Sequence, residues 1–356
     1  MFIDFIKRLS HPNWKILLVA TFLVSACNGR LQSSPTGTPA LPSSTNPSTS
    51  PNGSTYTTKT PPVTTSLPVL YGTITPSTLT VFPTISHQAN LIPVSTSTSL
   101  SSEDWKLLPV IPTVGQAARK IYQHGLGMGN DPHAFSKIGD CQSISTYFLT
   151  YFDMPGLYNL GPYSTLQETI DWYSGSFSRD SLAVKGGFNA AAILSPLRAD
   201  PKQCHSNENP VACELRIQHS SVAIISLEEW WAGHPENYEK YMRQIIEYSI
   251  NRGVVPIIAT KADNLEGNQL INQTIASLAH EYDIPLWNFW AAVQPLPNHG
   301  LEAIDVFGDV DMFHLTHSES FYSYEDPAAA QSGWSMRNLT ALQVLDAVRR
   351  GLSEQP

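Results

Sequence analysis

One cysteine lies in a stretch that could present a reactive side chain. The stretch SKIGDCQSIS, residues 136–145, is typical of a short strand, a Gly139-Asp140 turn and small polar residues that open a helix. Such an elbow exposes the next side chain, Cys141, beside the N–H groups of a helix N-terminus, which favour a thiolate or a forming oxyanion. Taken alone, the stretch also fits a turn followed by an inert, buried cysteine.

A distant pair of residues supplies the rest of this chemistry. Asp311 and His314 lie three positions apart in DMFHLT, after a segment rich in Gly and Asp. A short turn would set the carboxylate against one imidazole nitrogen, so that the other can take a proton from a nucleophile. We therefore predict Cys141 as nucleophile, His314 as general base and Asp311 as the residue that orients it. His317 is expected to lie outside this set, and neither a cofactor nor a metal is predicted.

The elements that would position these residues alternate along the chain. Apolar strand-like runs alternate with segments of helical spacing, the former at 221–226, 254–260 and 284–289, the latter at 165–173, 236–251, 268–281 and 335–352. This alternation predicts a three-layer α/β/α fold with a mainly parallel sheet. Ligands bind such sheets outside the carboxyl ends of the strands, so the predicted site lies at that edge.

Two further groups of residues follow predicted strands and are candidates for the rim of the site. Asp263 and Asn264 come after the strand at 254–260, where a residue either contacts a substrate or only stabilises its loop. The pair Trp230-Trp231 comes after the strand at 221–226. These rings suit either stacking on a sugar or covering the end of the sheet.

The chain is predicted to be exported and to have three parts. Residues 1–26 combine basic residues with an apolar run too short to cross a bilayer, as in a signal peptide. The small residues before Cys27 resemble a bacterial lipobox, in which Cys27 is lipidated and holds the protein on the outer side of the cell membrane. Cleavage near Ala26 by the ordinary secretory route is the alternative.

The rest of the chain divides by composition. Residues 27–102 are mostly Ser, Thr, Pro, Gly and Asn, which predicts a disordered stalk. Residues 103–356 are long enough for one domain with a substantial core, and we expect a monomer. The formal net charge of −9, without a basic stripe, argues against a nucleic-acid partner. Membrane contact is expected only through Cys27.

The remaining cysteines differ in context. Cys204 and Cys213 flank a short polar loop, CHSNENPVAC, and a disulfide that closes this loop suits an oxidising compartment. Metal binding by this pair with His205 is the alternative, although no second ligand cluster of matching spacing is visible. Cys141 is then the odd thiol of an exported domain.

These residues resemble the SGNH or GDSL hydrolases, and more closely the exported members of that superfamily with a Ser/Thr/Pro-rich stalk. The resemblance covers about residues 136–317 and includes YNLGPYSTLQETIDWY, IIATKADN and PLWNFWAAVQPLPNHG. It implies a flavodoxin-like α/β/α fold, with Cys141 at the position of the nucleophilic serine. It also implies an oxyanion hole made by the N–H groups of Cys141 and Gly187. The implied substrates are acyl or acetyl esters of polysaccharides or lipids.

One motif of that superfamily is absent. After SVAIIS the superfamily has Gly-x-Asn-Asp, whose Asn donates to the oxyanion, whereas this chain has LEEWW at residues 227–231. Loss of one such donor costs about 10²- to 10³-fold in rate. The sequence therefore leaves two hypotheses. One is an envelope-tethered ester hydrolase, and the other is a catalytically degenerate module that binds cell-surface glycans through residues such as Trp230.

Overall fold

The structure is a computed structural model that describes residues 103–227, 235–304, 308, 310–318, 321–326 and 331–354. The predicted signal peptide, the lipidation site Cys27 and the stalk lie outside these residues, as does the candidate rim residue Trp230. Among the helices described, none combines the length and the apolar character that crossing a membrane requires.

Four parallel strands form the central sheet in the spatial order β1-β2-β3-β4. Their bounds are β1 Asp131–Gly139, β2 Ser220–Ser226, β3 Val255–Ala259 and β4 Leu286–Trp287. The register pairs Ile138 with Ile225, Ile225 with Ile258, and Ile258 with Leu286. Every residue of β2 and β3 is buried, as expected for a parallel sheet covered on both faces.

Helices cover both faces of this sheet. On one side α1 Gln116–Gly127, α2 Gln167–Trp172 and α7 Gly333–Ser353 pack together. On the other side α3 Pro210–Gln218, α4 Pro235–Asn251 and α5 Leu270–Tyr282 follow one another. The short α6, Phe289–Val293, packs on α7. The predicted three-layer α/β/α fold is confirmed.

The helices begin where their sequences supply caps. The Asn209 side chain accepts a hydrogen bond from the N–H of Ala212, with Pro210 at the first position of α3. Ser332 accepts from the N–H of Ser335 at the start of α7. Both are residue types that satisfy the unpaired N–H groups of a first helical turn.

Gly139, the last residue of β1, is paired on both of its edges. On one edge, Gly139 pairs with Ser226 of β2. On the other edge, Gly139 forms an isolated parallel bridge with Val184, which the chain reaches before β2. In parallel α/β sheets, ligands bind outside the carboxyl ends of the strands. Cys141 follows β1 at this point.

The helix predicted after Cys141 is absent. Residues Cys141–Ser143 and Thr150–Asp153 instead form two short 3₁₀ turns. The intervening backbone is held by α7. The Asn338 side chain accepts from the N–H of Leu149 at 2.7 Å and donates to the carbonyl of Tyr147 at 3.0 Å.

Candidate active site

Asp311 and His314 form a hydrogen-bonded pair. The Asp311 Oδ2 lies 2.6 Å from the Nδ1 of His314, and its Oδ1 accepts from the backbone N–H groups of Phe313 and His314 at 2.9 and 3.0 Å. The three-residue spacing thus closes a tight turn around the carboxylate. The Asp311 side chain is 6% exposed and that of His314 is 19% exposed, but the Nε2 atom of His314 is itself buried.

The surroundings of Asp311 keep it ionised. Burial alone would raise the pKa of this carboxyl, but hydrogen bonds from the N–H groups of His314 and Phe313, and from the imidazole, together hold it below its usual value. An ionised carboxylate on Nδ1 favours the tautomer that carries its proton there. In that tautomer Nε2 is the basic nitrogen of His314.

Gln142 joins the cysteine turn to the histidine loop. Its side chain is buried, and its Nε2 donates to the carbonyl of Phe313 at 3.1 Å. The residue after Cys141 therefore contacts the residue before His314, although 171 positions separate the two in the chain. Cys141 itself is partly exposed and takes no part in a disulfide.

Asp140 stabilises the turn that presents Cys141. Its carboxylate accepts from the N–H of Gln142 at 3.0 Å and so caps the 3₁₀ turn. Because this turn is only three residues long, the helix dipole expected to favour a thiolate is missing. Activation of Cys141 would therefore have to come from neighbouring groups.

Gly187 lies in a turn beside the end of β1. The N–H of Phe188 donates to the carbonyl of Lys185 at 3.0 Å, and Gly187 has a φ of +80°, which a turn of this type assigns to glycine. A Cβ at Gly187 would meet no atom within 4 Å. Val184, three residues before Gly187, bridges Gly139 at the end of β1. The oxyanion role of Gly187 stays a prediction.

The two candidate rim residues after β3 have different surroundings. Asp263 is buried, and its Oδ1 accepts from the Nζ of Lys261 at 2.7 Å. Burial raises the pKa of Asp263 to about 6. Asn264 is exposed and accepts from the N–H of Gln269 at 2.8 Å. These contacts support the loop-stabilising interpretation for Asp263, since its carboxylate cannot reach a ligand without rearrangement.

His317 packs among aromatic rings near the candidate site. Its ring centroid lies 5.2 Å from that of Tyr147 and 5.9 Å from that of Trp334. Desolvation by these neighbours, with a smaller effect of His314, lowers the pKa of His317 to about 4. Although part of the residue stays exposed, it is neutral near pH 7 and is not hydrogen-bonded to Asp311.

The predicted disulfide between Cys204 and Cys213 is confirmed. Within the described residues, the candidate metal cluster consists of these two cysteines and Glu208. Both sulfurs are consumed by the disulfide, and Glu208 accepts from the guanidinium of Arg216 at 2.8 Å. The alternative of a metal site is therefore not supported at this loop.

Sequence reasoning missed two residues that organise the candidate site. Gln142 and Arg337 act through contacts with distant segments, and neither belongs to a recognisable motif.

Comparison with known proteins does not add a relative, because no family model, curated protein or solved structure matches the chain.

Proposed function

We propose that this domain hydrolyses esters through a covalent thioester on Cys141. The observation that carries the proposal is the hydrogen bond from Gln142 to the carbonyl of Phe313. Through it, the turn that presents the thiol contacts the loop that holds the Asp311–His314 pair. A nucleophile, a base and a group that orients the base are the components of acyl transfer.

In the proposed first step, Nε2 of His314 takes the thiol proton of Cys141 and the sulfur attacks the ester carbonyl carbon. The N–H groups of Cys141 and Gly187 stabilise the resulting oxyanion. The bond to the alcohol oxygen then breaks, and the imidazolium returns its proton to the leaving alcohol. Asp311 stabilises the imidazolium throughout because it is ionised and hydrogen-bonded to Nδ1.

In the second step, water hydrolyses the thioester. His314 takes a proton from the water, the oxygen attacks the acyl carbon, and the carbon–sulfur bond breaks. The proton passes to the departing sulfur, which regenerates the thiol and releases the acid. The absence of the superfamily's Asn donor predicts a slow enzyme, since one missing donor costs about 10²- to 10³-fold.

We further propose that the substrates are acyl or acetyl esters of a polysaccharide or lipid at the cell envelope. Support comes from the sequence alone, through the signal-like segment that ends at Cys27, the polar stalk and the resemblance to exported SGNH hydrolases. Recovery of lipid-modified protein in the membrane fraction, and its loss on Cys27→Ser, tests the tether.

The hydrolase proposal is tested by incubating residues 103–356 with 4-nitrophenyl acetate. We expect release of 4-nitrophenol, an acylated Cys141 in mass spectra of the quenched reaction, and loss of both in Cys141→Ala. His317→Ala is the control and should retain the activity. Undiminished hydrolysis in both Cys141→Ala and His314→Ala would contradict the proposal. Glycan binding without hydrolysis, lost on Trp230→Ala, would support the binding-module hypothesis instead.

A further inference from the structure

A buried arginine connects the Cys141 turn to the end of β2. Arg337, in α7, has no exposed surface. Its Nε donates to the carbonyl of Gln142 at 3.0 Å, and its Nη2 donates to the Oγ of Ser226 at 2.8 Å. Ser226 is the last residue of β2. One rigid guanidinium thus fixes the distance between the turn after β1 and the end of the adjacent strand.

Three aromatic rings hold this guanidinium in place. Its Cζ lies 4.8 Å from the ring centroid of Phe148 and 5.1 Å from those of Trp287 and Phe289. Attraction between a cation and aromatic faces is strongest when water is excluded, as it is here. The rings leave the arginine little room to turn, so its hydrogen bonds have a fixed direction.

Gln142 is therefore held at both its main chain and its side chain. The Nε of Arg337 donates to the backbone carbonyl of Gln142, and the side-chain Nε2 of Gln142 donates to the carbonyl of Phe313. Cys141 precedes this residue and His314 follows Phe313. A shift of the Gln142 backbone would consequently move the thiol relative to the imidazole, and displacements of about 1 Å between reacting groups cost about 10²-fold in rate.

We propose that Arg337 is a positioning residue that sets the orientation of the Cys141 thiol toward His314. The inference rests on the proposed hydrolase function. Lysine cannot replace arginine in this role, because an ammonium group lacks the planar fork that donates in two fixed directions. The effect should therefore appear in the chemical step and not in substrate binding.

The experiment compares Arg337→Lys with Arg349→Lys, a matched control in the same helix. Arg349 also lies over an aromatic ring, 5.7 Å from the centroid of Trp172, and pairs with Asp346 at 3.1 Å. Arg337→Lys should lower kcat for 4-nitrophenyl acetate about tenfold or more with KM changed less than about twofold, the pattern of a lost transition-state interaction. It should also slow alkylation of Cys141 by iodoacetamide. Arg349→Lys should change neither rate.

Ser226→Ala provides a second test that leaves Arg337 in place. It removes the acceptor of Nη2 and should lower kcat in the same direction, by a smaller factor. Thermal unfolding establishes that each variant is folded at the assay temperature. If Arg337→Lys does not fold, unchanged kcat and unchanged alkylation in Ser226→Ala overturn the proposal.

The outcomes separate the positioning role from the proposed function. If the wild-type domain shows no hydrolysis but Arg337→Lys still slows alkylation of Cys141, the positioning role holds and the hydrolase function is wrong. If the wild-type domain hydrolyses the ester and folded Arg337→Lys matches it in kcat and alkylation rate, the hydrolase function holds and the positioning role is wrong.

Discussion

Asp311 and Asp263, two carboxylates near the carboxyl edge of the sheet, differ in how exposed their hydrogen-bond partners are. Asp311 binds His314, whose side chain is 19% exposed, whereas Asp263 binds Lys261, whose side chain has no exposure. Asp311 is therefore paired with a partly exposed ring, whereas Asp263 belongs to a fully buried ion pair after β3. Both lay at candidate positions in the sequence, and the accessibility of the partner distinguishes them.

Replacing each aspartate by asparagine should affect a different property, the activity at Asp311 and the stability at Asp263. Asp311→Asn should lower kcat by about 10⁴-fold, because an amide favours the wrong imidazole tautomer. Asp263→Asn should leave kcat within about threefold but lower the free energy of unfolding by about 1.5–3 kcal/mol, since it weakens a buried charge-assisted hydrogen bond while Lys261 keeps Glu266 as its second carboxylate partner. Ester hydrolysis and urea denaturation measure the two quantities. If Asp263→Asn lost much of its activity but none of its stability, Asp263 would not be a purely stabilising residue, and the contrast with Asp311 would be wrong.

Lys137, on β1, is a further buried charged group whose effect on stability can be predicted. Its Nζ donates to the Oγ of Ser145 at 3.1 Å and to the carbonyl of Phe177 at 2.9 Å. Burial, with the charge of Arg179, lowers the pKa of Lys137 from 10.5 to about 7, against the attraction of nearby carboxylates. Between these values the unfolded chain binds more protons than the folded one.

The free energy of unfolding should therefore rise as the pH increases from about 7 to 10, by up to roughly 4 kcal/mol from this group. Lys137→Met should flatten that rise, because its side chain does not titrate. Urea denaturation of both proteins at several pH values measures the difference. Parallel pH profiles for wild type and variant would show that Lys137 is not the cause.

A smaller effect on stability is expected from the disulfide, which lies far from the candidate site in the chain. Cys204 and Cys213 are nine positions apart, and closing so short a loop stabilises a fold by about 2–3 kcal/mol. The double variant Cys204→Ser/Cys213→Ser should lose this amount in urea denaturation and keep its kcat. A large fall in kcat at a temperature where the variant is folded would tie this loop to the site.

The fold was predictable because its signals are local. Each of β2, β3 and α4 is encoded by an apolar run or a helical spacing within one segment, and the observed bounds differ from the predicted ones by only one or two residues. The disulfide was predictable for the same reason. The segment after Cys141 was not, because its turns depend on hydrogen bonds from Asn338 and Arg337 in α7.

The candidate site was predictable only in part. The Asp311–His314 contact follows from a three-residue spacing. The contact of Gln142 with Phe313 and that of Arg337 with Gln142 span 171 and 195 positions, and no local pattern encodes them. No local pattern encodes the burial of Asp263 either. Lipidation of Cys27 and the role of Trp230 stay predictions.

The rate at which iodoacetamide alkylates Cys141 near pH 7 tests the central claim most directly. If His314 activates the thiol, Cys141 should react faster than N-acetylcysteine, His314→Ala should slow it, and His317→Ala should change it little. Cys204 and Cys213 are protected as a disulfide. A Cys141 that reacts no faster than N-acetylcysteine, at a rate unaffected by His314→Ala, would contradict the proposed pairing of thiol and imidazole.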